Sequence, residues 1–219
     1  MESASNPKRI LLVDDHPIVR EGLALVINSE EDLVVCERAR DARTALNAIR
    51  TVKVDMVIVD ISLGGMDGIA LTRTIKEQYP DIVILVLSLH DETLFGERAL
   101  KAGAHGYIMK QEPAEKIVEA IRQVLKGETY LSQEMSAKIL RKYLRGPGDS
   151  EDCPMGTLTN RELEIYQLIG LGHSARQIAE ELHVSPKTVE THRSHMTEKL
   201  GLKGTKELLR HAFHWAQQL

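Results

Sequence analysis

Ile10-Leu11-Leu12-Val13-Asp14-Asp15-His16 decides how the first half of this chain reads. Four apolar residues in a row suit a strand buried on both faces, and two carboxylates stand where that strand ends. Similar short runs, rich in Val, Ile and Leu, recur at 33–36, 56–59, 82–87 and 107–109. Helical spacing separates them: Ile18, Leu23, Val26 and Ile27 first, then Ala45, Leu46 and Ile49. Ile69, Leu71, Thr72 and Ile75 mark a third helix, Leu94, Ala99 and Leu100 a fourth, and Ile117, Ala120, Ile121 and Val124 a fifth. Five βα units with short connections predict an α/β domain with a parallel sheet covered by helices. Ligands in such folds bind beyond the carboxyl ends of the strands.

That rule selects a few residues. Asp14 and Asp15 end the first strand, Asp60 the third, Ser88 the fourth and Lys110 the fifth. A single strand-end Asp is more often a helix cap. A single Lys is more often a surface residue. Five such residues on one sheet edge form a site. Three carboxylates repel one another, so a cation belongs among them, and an all-oxygen donor set favours Mg2+. Lys110 adds a fixed positive charge, and Ser88 offers a hydroxyl to a phosphoryl oxygen. Cationic partners neutralise a transferring phosphoryl group, and Asp60 is placed to be its carboxylate nucleophile.

The 219 residues suffice for two small domains. No run of 18 apolar residues occurs and the N-terminus lacks the apolar middle of a secretory signal, so neither a membrane span nor export is expected. Cys36 and Cys153 stand far apart, which argues against a disulfide and fits a reducing cytoplasm. Residues 1–130 hold 16 Lys/Arg against 21 Asp/Glu, whereas residues 157–219 hold 8 against 7. The C-terminal part is therefore only weakly basic, and nucleic-acid binding has to be argued from its motif.

A connecting helix is expected over 131–144. Arg145-Gly146-Pro147-Gly148-Asp149-Ser150-Glu151-Asp152 then breaks all periodicity, as a linker does. Strand signals end there. Thr159 and Glu162 have capping-box spacing, Ile165, Leu168 and Ile169 follow, and Gly170 and Gly172 are expected to end that helix. Ser174 opens a short helix with Ile178, Ala179 and Leu182 inward, and His183-Val184 turns the chain. Ser185-Pro186 opens a longer helix whose expected inner stripe is Val189, His192, Met196 and Leu200, with Gly201 as its stop. Short helix, tight turn and longer helix match a helix-turn-helix. Its outward face then carries Lys187, Thr188, Glu190, Thr191 and Ser194, flanked by Arg193 and Lys199, residue types that read base edges and phosphates. Ser174, Arg176 and Gln177 at the preceding helix join the expected DNA contacts. Glu190 either accepts from cytosine N4 or pairs with a neighbouring Lys. His192 and His195 stand three apart, but no further ligand is evident in sequence, so a zinc site is not expected. A last helix over 206–215 carries Leu208, Leu209, Ala212 and Phe213, part facing the core and part available to a twin domain.

Residues 8–126 resemble a receiver domain of two-component signalling. The likeness rests on Leu12-Val13-Asp14-Asp15-His16, Ile58-Val59-Asp60, Met66-Asp67-Gly68, Leu87-Ser88, Ala102-Gly103-Ala104 and Tyr107-Ile108-Met109-Lys110. It implies a flavodoxin-like five-stranded sheet of order 2-1-3-4-5 and Asp60 as phospho-acceptor. It further implies Mg2+ on Asp15 and Asp60, with Asp14 assisting through water and the Ser62 carbonyl as a further ligand. Tyr107 matches the aromatic that turns inward when Ser88 engages the phosphoryl group. Where the family usually has Pro, four residues after the acceptor, this chain has Gly64 followed by Gly65, which loosens the loop.

Residues 157–219 resemble an all-α, four-helix LuxR/NarL-type effector domain, through Leu158-Thr159 with Arg161-Glu162, Ile178-Ala179-Glu180-Glu181-Leu182, Ser185 with Lys187-Thr188-Val189, Thr191-His192-Arg193 and Lys199-Leu200-Gly201. Residues 127–156 are then the linker. The combination implies a phosphorylation-dependent transcription regulator. Its expected partners are a sensor histidine kinase, double-stranded DNA and a second copy of the chain, with RNA polymerase a further candidate. Three rivals remain: a phosphatase with an Asp nucleophile, a regulator independent of phosphate, and an interaction module that never touches DNA. The phosphatase normally needs a second Asp two residues after the first, where this chain has Ser62.

Overall fold

The computed structural model describes residues 6–63, 66–145 and 154–217. Gly64, Gly65 and residues 146–153 of the expected linker, Cys153 among them, lie outside them. The chain divides into two compact units at Leu144/Arg145.

The first unit alternates β1 (Lys8–Val13), α1 (Pro17–Asn28), β2 (Leu33–Ala39), α2 (Ala42–Thr51), β3 (Met56–Val59), α3 (Gly68–Gln78), β4 (Val83–Ser88), α4 (Glu92–Lys101), β5 (Gly106–Met109) and α5 (Ala114–Leu125). All pairings are parallel and the strand order is β2-β1-β3-β4-β5. Ile10 to Val13 and Met56 to Val59 are buried throughout, as strands covered on both faces must be. One core joins Ile10, Leu12, Ile58 and Leu85 of the sheet to Ile117, Ala120, Ile121 and Val124 of α5. Asp41 and Thr44 close a capping box on α2, and Asp67 and Asp91 cap α3 and α4. Gly68 has a steric reason: a Cβ there would stand 1.9 Å from the Asp60 carbonyl oxygen. Only glycine lets the start of α3 lie against the backbone that carries Asp60.

The segment after α5 does more than connect. Tyr107 N donates to Tyr130 O (2.9 Å) and Tyr130 N to His105 O (3.2 Å), so residue 130 extends the β5 edge. Helix α6 (Gln133–Arg145) then docks on α4. Ser132 N donates to the Glu92 carboxylate (3.1 Å), Lys138 Nζ to Thr93 O (2.8 Å), and the fully buried Met135 packs on Gly96. Residues 127–144 thus group with the first unit.

The second unit holds a 3-10 turn (Pro154–Thr157), α7 (Asn160–Gly170), α8 (Ala175–Glu181), α9 (Pro186–Lys199) and α10 (Thr205–Ala216). Thr159 with Glu162 and Ser174 with Gln177 form capping boxes, and Ser185 caps α9 ahead of Pro186. Gly170 is the last residue of α7, but its main role is proximity: a Cβ there would lie 2.7 Å from Ala212 O of α10. Tyr166 anchors the same contact, edge-on to Trp215 at 5.4 Å and hydrogen-bonded to His211 Nδ1 at 2.6 Å.

Candidate functional site

The strand ends bring the expected residues together. Lys110 is buried, and its Nζ lies 2.7 Å from both Asp60 Oδ2 and Asp14 Oδ2. It donates a directed hydrogen bond to Asp60. At Asp14 Oδ2 the approach supplies charge without hydrogen-bond direction, so that buried oxygen remains unsatisfied. Asp15 Oδ1 is likewise unsatisfied, although His16 Nδ1 stands 2.8 Å away. Burial pushes the Asp60 carboxyl up to about 6; the Lys110 charge pulls it down and Asp14 pushes it up again. Burial works against the charge of Lys110, but Asp60 and Asp14 outweigh it and raise the pKa of its ammonium. One ammonium is thus shared by two buried carboxylates with a third beside them.

The residues fit Mg2+. Asp14, Asp15, His16 and Asp60 each offer a ligand atom within 4.8 Å of the others. Two buried carboxylate oxygens lacking hydrogen bonds are what a hard cation satisfies. His16 suits a supporting role better, since Mg2+ prefers oxygen.

Ser88 is fully buried, and its Oγ accepts from His90 N (3.1 Å). Tyr107 points inward, 1% exposed, and its hydroxyl donates to His90 O (2.7 Å). Burial raises the Tyr107 hydroxyl well above its usual range, so it stays protonated. The Ser62 side chain shares a 2.7 Å hydrogen bond with His90 Nε2. His90 thus joins the loops after β3 and β4. Nothing in its sequence position signalled that role, because the contact spans 28 residues.

The helix-turn-helix is formed by α8 and α9. His183 in the turn takes φ of 51°, and Val184 N bonds back to Ala179 O (2.9 Å). Arg176, Lys187, Glu190, Thr191 and Ser194 are exposed, and Thr188 is half-buried, its Oγ1 2.8 Å from Ser185 Oγ. Ser174 and Gln177 bond each other as a cap. Arg193 is only 8% exposed: it belongs to the inner stripe with Val189 and Met196, and its guanidinium pairs with Glu190 at 2.9 Å. Glu190 therefore has a cation on its own helix, one turn away. Lys199 reaches across to Glu162 of α7 at 2.7 Å. His192 is half-buried, and burial lowers its pKa. On α10, Leu208 and Ala212 are buried while Leu209 and Phe213 are 40% and 54% exposed.

A five-stranded receiver sheet with this acidic edge, continued by a helix-turn-helix, defines the class of response regulators. Comparison with known proteins agrees: residues 10–122 match the response regulator receiver domain, and residues 156–212 match the bacterial regulatory proteins of the luxR family. The chain belongs to the LuxR-type response regulators. Among its relatives is the oxygen regulatory protein NreC of Staphylococcus carnosus, 36% identical over 208 residues, which are 93% of this chain and 96% of NreC. Among solved structures is RcsB of Salmonella enterica serovar Typhimurium bound to promoter rprA with the phosphomimetic BeF3−. It has a TM-score of 0.60 and 25% identity, covering 94% of this chain and 98% of RcsB. A LuxR-family response regulator from Aurantimonas has a TM-score of 0.59 and 34% identity, over 64% of this chain and 99% of its own. No described helix is long and apolar enough to cross a membrane.

Proposed function

We propose that this chain takes a phosphoryl group on Asp60 from the phosphohistidine of a sensor histidine kinase, and that the phosphorylated form controls promoter binding through α8 and α9. The observation carrying the first half is the Lys110 ammonium 2.7 Å from both Asp60 and Asp14. An Asp60 oxygen attacks phosphorus; the P–O bond forms as the P–N bond breaks, and the leaving imidazole recovers its electron pair. Lys110 neutralises charge on the phosphoryl oxygens from a buried position, where a fixed charge acts most strongly. Asp14, Asp15 and Asp60, with the Ser62 carbonyl, would hold Mg2+, which supplies further charge neutralisation when bound. The reading is a stoichiometric acceptor rather than a turnover enzyme, since Asp60-Ile61-Ser62 offers no second carboxylate as general acid.

The new group brings about −1.5 to −2 charges and three acceptor oxygens. Ser88 and Lys110 bond it. His90 backs both Ser88 and Tyr107, so drawing Ser88 toward the phosphoryl group reshapes the loop before α4. The second unit, residues 157–219, binds double-stranded DNA through exposed Arg176, Lys187, Glu190, Thr191 and Ser194 and half-buried Thr188, with the Ser174–Gln177 cap at the entry. Two linked copies bind a two-part site far better than one, and exposed Leu209 and Phe213 suit contact between twin domains. The RcsB structure with promoter DNA supports the DNA partner. RNA polymerase is a further partner on this reading, and the cytoplasm its location.

Incubation with acetyl phosphate and Mg2+, followed by intact mass measurement, tests the acceptor. One added phosphoryl group is expected in the wild type and none in Asp60→Asn. Phosphorylation of Asp60→Asn at another residue overturns the assignment.

A further inference from the structure

A second set of ligand-type side chains converges in the C-terminal unit. His192 and His195 stand one turn apart on α9, and spacing by three puts both imidazoles on one side of the helix. Read along the sequence, they lack a third ligand. The fold supplies one: Glu162, near the start of α7, offers a carboxylate oxygen, and all three ligand atoms lie within 4.8 Å of one another. We propose that Glu162, His192 and His195 bind a divalent transition ion of the zinc class, joining the DNA-facing helix α9 to α7.

Four observations carry the assignment. Two imidazoles and one carboxylate are the donor set of borderline ions such as Zn2+, and a poor one for Mg2+. Tetrahedral bonds of about 2.0–2.1 Å hold ligand atoms about 3.4 Å apart, so modest side-chain rotations close the cluster. Glu162 is 2% exposed and already oriented, because Thr159 N and Lys199 Nζ both donate to its Oε2 at 2.7 Å. Such supporting hydrogen bonds fix a ligating carboxylate in metal sites. Finally, His192 Nδ1 is buried with no hydrogen-bond partner.

Lys199 opposes a cation here. Its side chain is 36% exposed and can move toward solvent, so affinity is moderate rather than tight. Three protein ligands leave a fourth position for water.

The test uses the untagged full-length chain with Mg2+ in large excess, so that the receiver carboxylates are occupied. Co2+ titration is expected to show one saturable site with tetrahedral visible bands that Zn2+ displaces. His195→Ala, at an exposed position whose side chain makes no hydrogen bond among the described residues, is expected to lose at least tenfold in affinity; Asp60→Asn keeps the site. Zn2+ should raise the Tm of the C-terminal transition in the wild type and not in His195→Ala, and His192→Gln should behave like His195→Ala. Absence of saturable binding, unchanged affinity in His195→Ala, or loss of binding in Asp60→Asn overturns the proposal.

Discussion

The two functional regions are built on opposite principles. In the receiver pocket, charged groups from separate strands are buried together, so each feels the others strongly and little water screens them. Along α8 and α9 the functional groups are exposed, and several are engaged with their own domain. Ser174 and Gln177 cap a helix, Glu190 holds Arg193, and Lys199 holds Glu162. The pocket is organised for chemistry before any ligand arrives. The helical surface has fewer uncommitted groups than its sequence implies; Arg176, Lys187 and Ser194 are exposed and make no side-chain hydrogen bond or ion pair among the described residues.

This contrast can be broken by measurement. The largest effect is expected at Lys110: Lys110→Ala should slow phosphorylation from acetyl phosphate by about 10²-fold or more, because a buried fixed charge is removed. A rate near wild type would mean the ammonium is not preorganised for the reaction. Gly68→Ala comes next. Its Cβ has no room beside the Asp60 carbonyl, so urea unfolding should show about 1–3 kcal/mol of destabilisation along with impaired phosphorylation.

Arg193 and Lys187 sharpen the comparison within α9. Arg193→Ala should cost the C-terminal unit about 1–3 kcal/mol while leaving the salt dependence of DNA binding unchanged. Lys187→Ala should leave stability unchanged and lower the salt slope of DNA binding by about 1. The reverse pattern would put Arg193 back on the DNA face.

Asp60 gives a pH signature. Its folded pKa of about 6 exceeds the ordinary 3.8. Protonation therefore favours the fold, a contribution fully present below pH 3.8 and lost as pH rises through 6. Mg2+ needs the ionised carboxylate, so it should stabilise at pH 7.5, by about 1.4 kcal/mol at tenfold its Kd. That gain should shrink at pH 5, as read from Tm. A Mg2+ effect independent of pH would exclude Asp60 as the titrating ligand. The smallest effect is expected in the turn before α9, where His183→Gly should gain about 0.5–1 kcal/mol by relieving a left-handed backbone.

Much of the receiver was legible because a buried parallel strand announces itself as a short apolar run. Helical crossovers then make the strands parallel, which brings all carboxyl ends to one edge. Asp14, Asp60, Ser88 and Lys110 needed only their places at those ends. The helical unit was legible in its punctuation, since Thr159, Ser174 and Ser185 cap where expected, but less so in its faces. A stripe of 189, 192, 196 and 200 and one of 189, 193, 196 and 200 are equally good helical spacings. Charge places Arg193 at the flank of the outward face, whereas packing buries it.

By itself the sequence determined the element types, the order of the two units and the residues at the carboxyl edge of the sheet, because these follow from local periodicity and chain topology. Tertiary structure alone decided that residues 127–144 dock on the receiver, that His90 links Ser62 to Ser88 and Tyr107, and that Glu162 meets Lys199 and the two histidines. Those contacts join residues tens of positions apart through side-chain packing, and no short-range pattern in the chain encodes which long side chain closes on which partner.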